Sequence, residues 1–207
     1  PPSSESFWTT IFAMFLLHLS GSPYKVTVWR CISNAKAAPW YEKHPSNEKL
    51  LKVQRLRFDD ISVEPTDAAS IWPEVLENDD PAIMGLSPDI ILKLPGENGA
   101  DEGEQYAIIE NKIRTNLNSN QLIAYPKLIE RINHKRRSQL FVLQSLGCSN
   151  TLYQQTKVLQ KGCEDFGILL WEDIIRLMEQ SKFEMKGVDP ISWKKYTEAI
   201  DEDCKQV

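Results

Sequence analysis

The sequence predicts an α/β fold, and three observations carry the prediction. An apolar helix pattern opens the chain, a hairpin of two apolar strands occupies its middle, and helix and strand patterns alternate from about residue 119 to residue 180. Elements that alternate in this way bury their apolar faces against one another. With 207 residues the chain has room for one sizeable domain, or for a domain carrying an insertion.

Ser3 or Ser4 can cap a first helix that begins near Glu5. Trp8, Ile11, Phe12, Phe15, Leu16 and Leu19 follow helical spacing, and Gly21-Ser22-Pro23 ends the run. The apolar segment Phe7 to Leu19 is too short to span a bilayer, and Glu5 precedes it where a signal would carry Lys or Arg. It reads as a buried helix, and no membrane partner is expected. Tyr24 to Ile32 reads as a strand. Residues 33–48, with Pro39 and Pro45, read as loop; Leu50 to Phe58 and Ile61 to Val63 as strands; residues 64–88 as loop with one helical turn.

Ile90 to Leu94 and Tyr106 to Ile113 are strands joined by a polar turn over residues 96–103. A helix follows from about Ser119 to Asn133, and Pro126 inside it should kink it or mark a first turn. Then come a strand over Gln139 to Leu146, a helix over Asn150 to Lys161, a strand over Gly167 to Leu170 and a helix over Glu172 to Gln180. Residues 1–181 form the expected domain, with residues 24–80 as the candidate insertion and residues 182–207 as a C-terminal extension.

The net charge of −5 argues against a protein that coats nucleic acid by bulk charge, and leaves room for a local basic track. Cys31, Cys148, Cys163 and Cys204 are far apart and form no C-x-x-C pair, so reduced thiols in a cytoplasmic protein are expected. Pro1 stands where a start Met would, which reads as a piece of a larger protein.

The chemistry is concentrated in the hairpin. Apolar strands rarely carry ionisable groups unless these are paired or bind a metal, yet Asp89, Glu110 and Lys112 are set into this one. The turn is centred between Asn98 and Asp101, which makes Asp89 and Glu110 neighbours, although so long a turn does not itself fix the register. Glu110 and Lys112 are two apart and share a face. Two adjacent carboxylates repel by about 1–4 kcal/mol at 4 Å near a surface. A hard divalent cation relieves that repulsion and activates water against a phosphodiester. Lys112 would orient or help deprotonate the water, or balance phosphate charge.

Pro88-Asp89 followed by Glu110-Asn111-Lys112 resembles the PD-(D/E)xK nuclease superfamily, which includes many restriction enzymes and the RecB-type nuclease domains. The resemblance implies a restriction-endonuclease-like fold, a central mixed sheet flanked by helices, with Mg²⁺ or Mn²⁺ at the acids. Asp89 and Glu110 would be metal ligands, the main-chain carbonyl of Asn111 a further ligand, and Lys112 the catalytic lysine. Glu5, on the inward stripe of the first helix, matches the early glutamate that many members point at the metal. Gln121 and Tyr125 match the Gln-x-x-x-Tyr motif of the RecB-type members and would position phosphate or the site itself. Phe141 to Gln144 and Leu170 to Ile175 are similar to pieces of a bacterial branch. The match covers residues 5–178 in patches, and residues 24–80 match nothing.

Each signal has a plainer alternative. Glu184-Met185-Lys186 repeats the Glu-x-Lys pattern with no apolar strand or Pro-Asp partner, and reads as surface. The Asp89, Glu110 and Lys112 set could be a structural salt bridge at a sheet end, Glu5 a dipole-favoured helix start, and Gln121 and Tyr125 ordinary packing. His134-Lys135-Arg136-Arg137 could hold phosphates or be a solvated helix end. The expectation is a metal-dependent nuclease acting on DNA, as an effector in a bacterial or phage-defence setting. Its expected partners are nucleic acid and either a second copy or further domains of a larger protein. The alternative is a catalytically inactive module of this fold that binds nucleic acid or a protein.

Overall fold

The structure, a computed structural model, describes residues 5–32, 42–64, 81–94, 105–113, 115–133 and 138–184, with 194, 195 and 198 as isolated positions. The elements in chain order are α1 (Glu5–Leu19), β1 (Val26–Cys31), β2 (Lys43–His44), β3 (Asn47–Leu56), β4 (Ser62–Glu64), α2 (Pro81–Met84), β5 (Ile90–Leu94), β6 (Gln105–Lys112), α3 (Ser119–Asn133), β7 (Ser138–Gln144), α4 (Asn150–Gly162), β8 (Phe166–Leu170) and α5 (Trp171–Gln180).

All eight strands form one mixed sheet in the order β2-β3-β1-β8-β7-β6-β5-β4. Only β6, β7 and β8 run parallel to their neighbours in that group. These are the most continuously buried strands, as parallel strands covered on both faces must be. The outermost strands, β2 and β4, have two and three residues, which limits the exposed edge.

Two successive crossovers, β6-α3-β7 and β7-α4-β8, step the same way across the sheet, and with the one hand that parallel crossovers take they put α3 and α4 on one face. Tyr125, Leu128, Leu152 and Leu159 join Ile108, Val142 and Ile168 in the core of that face. The other face is covered by α1 and α5, with Trp8, Phe12, Phe15, Trp171 and Ile174 packed on Val28, Ile109, Phe141 and Leu169. Phe12 and Trp8 both meet the Trp171 ring edge-on, which locks α1 to α5. Among the described residues no helix is long and apolar enough to cross a membrane.

The hairpin register sets Ile90 opposite Ile109 and Leu92 opposite Ala107. Continued by one residue, it brings Asp89 opposite Glu110, as the turn centre predicts. Residues 33–48 were expected as loop, but Lys43–His44 pairs with β3, with Lys43 opposite Leu51 and His44 opposite Asn47. Pro45 and Ser46 make the turn, where the missing proline N–H is not needed. The buried His44 ring packs edge-on against Trp29 at 4.8 Å, an anchor that local sequence does not announce. β1 pairs with β8, so β1 and β3 extend the central sheet. Helix α3 runs through Pro126, at the loss of one intrahelical donor. The candidate caps Ser3 and Ser4 lie outside the described residues, as does most of 182–207, although Phe183 packs against Phe15.

Gly167 lies within β8, where an added Cβ would meet Val28 Cγ1 in a clash and the Phe141 ring at 2.9 Å. Gly167→Ala is therefore expected to destabilise by about 1–3 kcal/mol through overpacking. Thermal unfolding checks this, with a fall in Tm of roughly 2–4 °C per kcal/mol for a chain of this size.

Candidate active site

The site lies where β5 begins and β6 ends. Strand alternation sends Glu110 and Lys112 to the face covered by α3, and Lys112 Nζ lies 2.9 Å from Glu110 Oε1. Glu110 is 2% exposed. A carboxylate buried so far needs several donors, and α3 supplies two more. Gln121 Nε2 donates to Glu110 Oε1 at 2.6 Å, and the Tyr125 hydroxyl donates to Oε2. Spacing of i,i+4 puts both side chains on one face of the helix.

Gln121 is itself held by a reciprocal cap at the start of α3. Asn118 Oδ1 accepts the Gln121 N–H at 2.8 Å, and Gln121 Oε1 accepts the Asn118 N–H at 3.0 Å. With Oε1 turned to Asn118, the NH₂ group is the end that faces Glu110. Burial, reinforced by the Glu110 charge, pushes the Tyr125 hydroxyl well above its ordinary pKa, so Tyr125 remains a donor.

Asp89 is held less fully. Its Oδ2 accepts the Asn111 N–H at 2.7 Å. Burial, then the charge of Glu110, push its carboxyl up to about 6 against the opposing effects of the Asn111 N–H and Lys112. For Lys112, burial acts to lower the pKa, but Glu110, Glu5 and Asp89 together outweigh it and hold the amine above its ordinary value. Lys112 is therefore cationic.

Glu5 begins α1, and its Oε1 accepts the Ile113 N–H at 3.0 Å and the Thr115 hydroxyl at 2.7 Å. It ties the helix start to the chain leaving β6, and its charge reaches both Asp89 and Lys112. The Asn111 side chain lies on the opposite face of β6. Its Nδ2 donates to Thr9 Oγ1 at 3.0 Å, and its Oδ1 accepts the Trp171 Nε1–H at 3.0 Å. Its main-chain N–H turns to Asp89, and in an extended strand the carbonyl of the same residue turns to the same side.

The donor chemistry fits a hard cation. An ionised carboxylate has about four acceptor positions. Lys112 and Gln121 occupy Glu110 Oε1, Tyr125 occupies one position on Oε2, and Asn111 occupies one on Asp89. The rest meet no protein donor among the described residues. Two carboxylates with a nearby carbonyl suit Mg²⁺ or Mn²⁺, which complete their shell with water and phosphate oxygens. Among the described residues no set of three or more His, Cys, Asp or Glu side chains converges on one metal position. Glu5, the third acid, has its Oε1 turned to Ile113 and Thr115 instead.

Four further residues lie at the site without a role assigned to them from the sequence: Asn118, Thr115, Trp171 and Gln144. Asn118 could have been found from the Asn-x-x-Gln capping pattern and Thr115 had no local signal, whereas Trp171 and Gln144 fall in the two segments similar to the bacterial branch. Gln144 sits beside Lys112 in register on the next strand. Its Nε2 donates to Cys148 Sγ at 3.2 Å, and its buried Oε1 has no partner among the described residues. Lys135, Arg136 and Arg137 lie outside the described residues. No protein-family model matches the chain, and no curated protein or solved structure matches it at a significant level.

The raised Asp89 pKa has a direct consequence for stability. The folded state binds the Asp89 proton more tightly than the unfolded chain, so metal-free protein loses stability as pH rises from about 4 to about 6 and keeps the full penalty above that. Asp89→Asn should raise Tm at pH 7 and leave it nearly unchanged at pH 4, as read by thermal unfolding at both pH values. Tyr125→Phe should have the opposite sign. It strips a donor from a buried carboxylate and is expected to destabilise by about 1–3 kcal/mol, measurable by urea unfolding.

Proposed function

We propose that the chain is a metal-dependent nuclease of the PD-(D/E)xK type, with a restriction-endonuclease-like fold, hydrolysing phosphodiester bonds in DNA. The observation that carries the reading is the convergence of Asp89, Glu110 and Lys112 at one end of a buried hairpin. A structural salt bridge needs only Glu110 and Lys112. Asp89 adds a second carboxyl whose ionisation the fold resists, holding it at about 6. Strain of this kind at a cluster of titratable groups marks a site built for a ligand that neutralises it.

In this reading Asp89, Glu110 and the Asn111 carbonyl hold the cation. When bound, Mg²⁺ or Mn²⁺ supplies an activated water and offsets the charge that grows on the phosphate. Lys112, held protonated, donates to that water or to a phosphate oxygen; its charge suits these roles better than proton abstraction. Gln121 and Tyr125 are positioning residues that keep Glu110 in one orientation. Glu5 fixes the chain leaving β6 and adds to the negative field at the site.

Cleavage of supercoiled plasmid and linear duplex with Mg²⁺ or with chelator tests the reading. Asp89→Asn, Glu110→Gln and Lys112→Ala should each remain folded by circular dichroism and lose at least about 100-fold in cleavage rate. A fully active Asp89→Asn would sink the nuclease reading. Calorimetry separates it from an inactive binding module: the enzyme binds Mg²⁺ in a way that Asp89→Asn abolishes, and the module does not.

A further inference from the structure

We infer that a basic groove between β1, β3 and α5 is a second contact for the sugar-phosphate backbone of the substrate. The inference takes its ligand from the nuclease reading and its position from the fold. The groove encloses about 510 Å³, and its lining includes Lys25, Thr27, Arg55, Asp173 and Arg176.

The sheet puts this groove at the same end as the acids. Lys112 is in register with Gln144, and Gln144 with Leu170. β1 runs antiparallel to β8 with Trp29 opposite Ile168, so Thr27 continues the row past Leu170, and Arg55 lies opposite Thr27. Lys112, Gln144, Leu170, Thr27 and Arg55 thus form one lateral row. Trp29, Ile168 and Leu170 share a core cluster with Ile108 and Val142, so the side chains of the row turn to the face that carries Glu110, while α5, whose Leu177 packs on the opposite face, closes the groove from the other side. At about 4.8 Å per strand the row spans roughly 19 Å from Lys112 to Arg55. Gln144 and Leu170 are buried between the two ends, so a duplex would bridge from one to the other over five or six base steps of about 3.4 Å each.

The charges suit a phosphate backbone. Lys25 and Arg55 are exposed, and the acid whose charge reaches Arg55, Glu42, is itself ion-paired with Lys52. Arg176 is well exposed and lies 3.7 Å from Asp173 Oδ1. Asp173 Oδ2 is taken by the Trp29 Nε1–H at 2.7 Å, so the single acid in this set is engaged on both oxygens. A chain of net charge −5 repels nucleic acid as a whole. Three cations collected in one concavity, in line with the acid site, supply the local attraction that a backbone needs, and guanidinium groups fit phosphate oxygens in pairs.

The test is fluorescence anisotropy with a labelled duplex of about 20 base pairs, in chelator so that nothing is cut, over a range of salt. The variant Lys25→Glu, Arg55→Glu, Arg176→Glu is compared with Lys43→Glu, Lys157→Glu, Lys161→Glu, which makes the same charge change outside the groove. The groove variant should bind at least about tenfold more weakly, and its salt slope should fall by nearly three, about 0.9 for each lost phosphate contact. The control variant should show neither change. Equal losses in both variants, or none in the groove variant, would overturn the inference. Groove-dependent binding by a chain that cuts no substrate supports the groove and overturns only the nuclease reading.

Discussion

The site depends on one buried carboxylate. Glu110 sits in a strand buried over nearly its whole length, and Lys112, Gln121 and Tyr125 all converge on it. Burying an acid there would be prohibitive without these donors. The requirement reaches outward: Tyr125 must stay protonated, Gln121 must keep its amide turned inward, and the start of α3 must be capped by Asn118 to hold it so. The first two turns of α3 are therefore organised by a charge on β6.

Asp89 has the opposite character. It is brought beside Glu110 by the hairpin register and receives one backbone N–H, and the surroundings resist its ionisation. One acid is fully supported and its neighbour is not. In the proposed nuclease this asymmetry would serve the cation, because the supported acid fixes the position and the strained one gains most from binding. Lys112 balances both and is kept cationic by them. On the opposite face, the Asn111 side chain links β6 to α1 and to Trp171, so the strand end is pinned from both sides of the sheet.

Much of this was legible in the chain. Helical spacing in α1, the apolar strands and the polar turn centre located the elements and made Asp89 and Glu110 neighbours. The resemblance of Gln121 and Tyr125 to a Gln-x-x-x-Tyr motif pointed to the two residues of α3 that donate to Glu110. Less legible were features whose partners are remote in sequence. The short β2 depends on His44 finding Trp29, and the capture of Glu5 by Ile113 and Thr115 joins residues more than a hundred positions apart. The basic run at 135–137 drew attention because its charges are consecutive. The groove of Lys25, Arg55 and Arg176 did not, because its charges come from three separate elements.

By itself the sequence determined the α/β class, the hairpin and the acid, acid and lysine set, because periodicity, turn chemistry and buried charge are local signals. The tertiary structure decided which oxygen each donor meets, which acid is strained, and which cations share a concavity. These depend on strand order, and strand order is set by the packing of whole faces, which no short stretch of chain encodes.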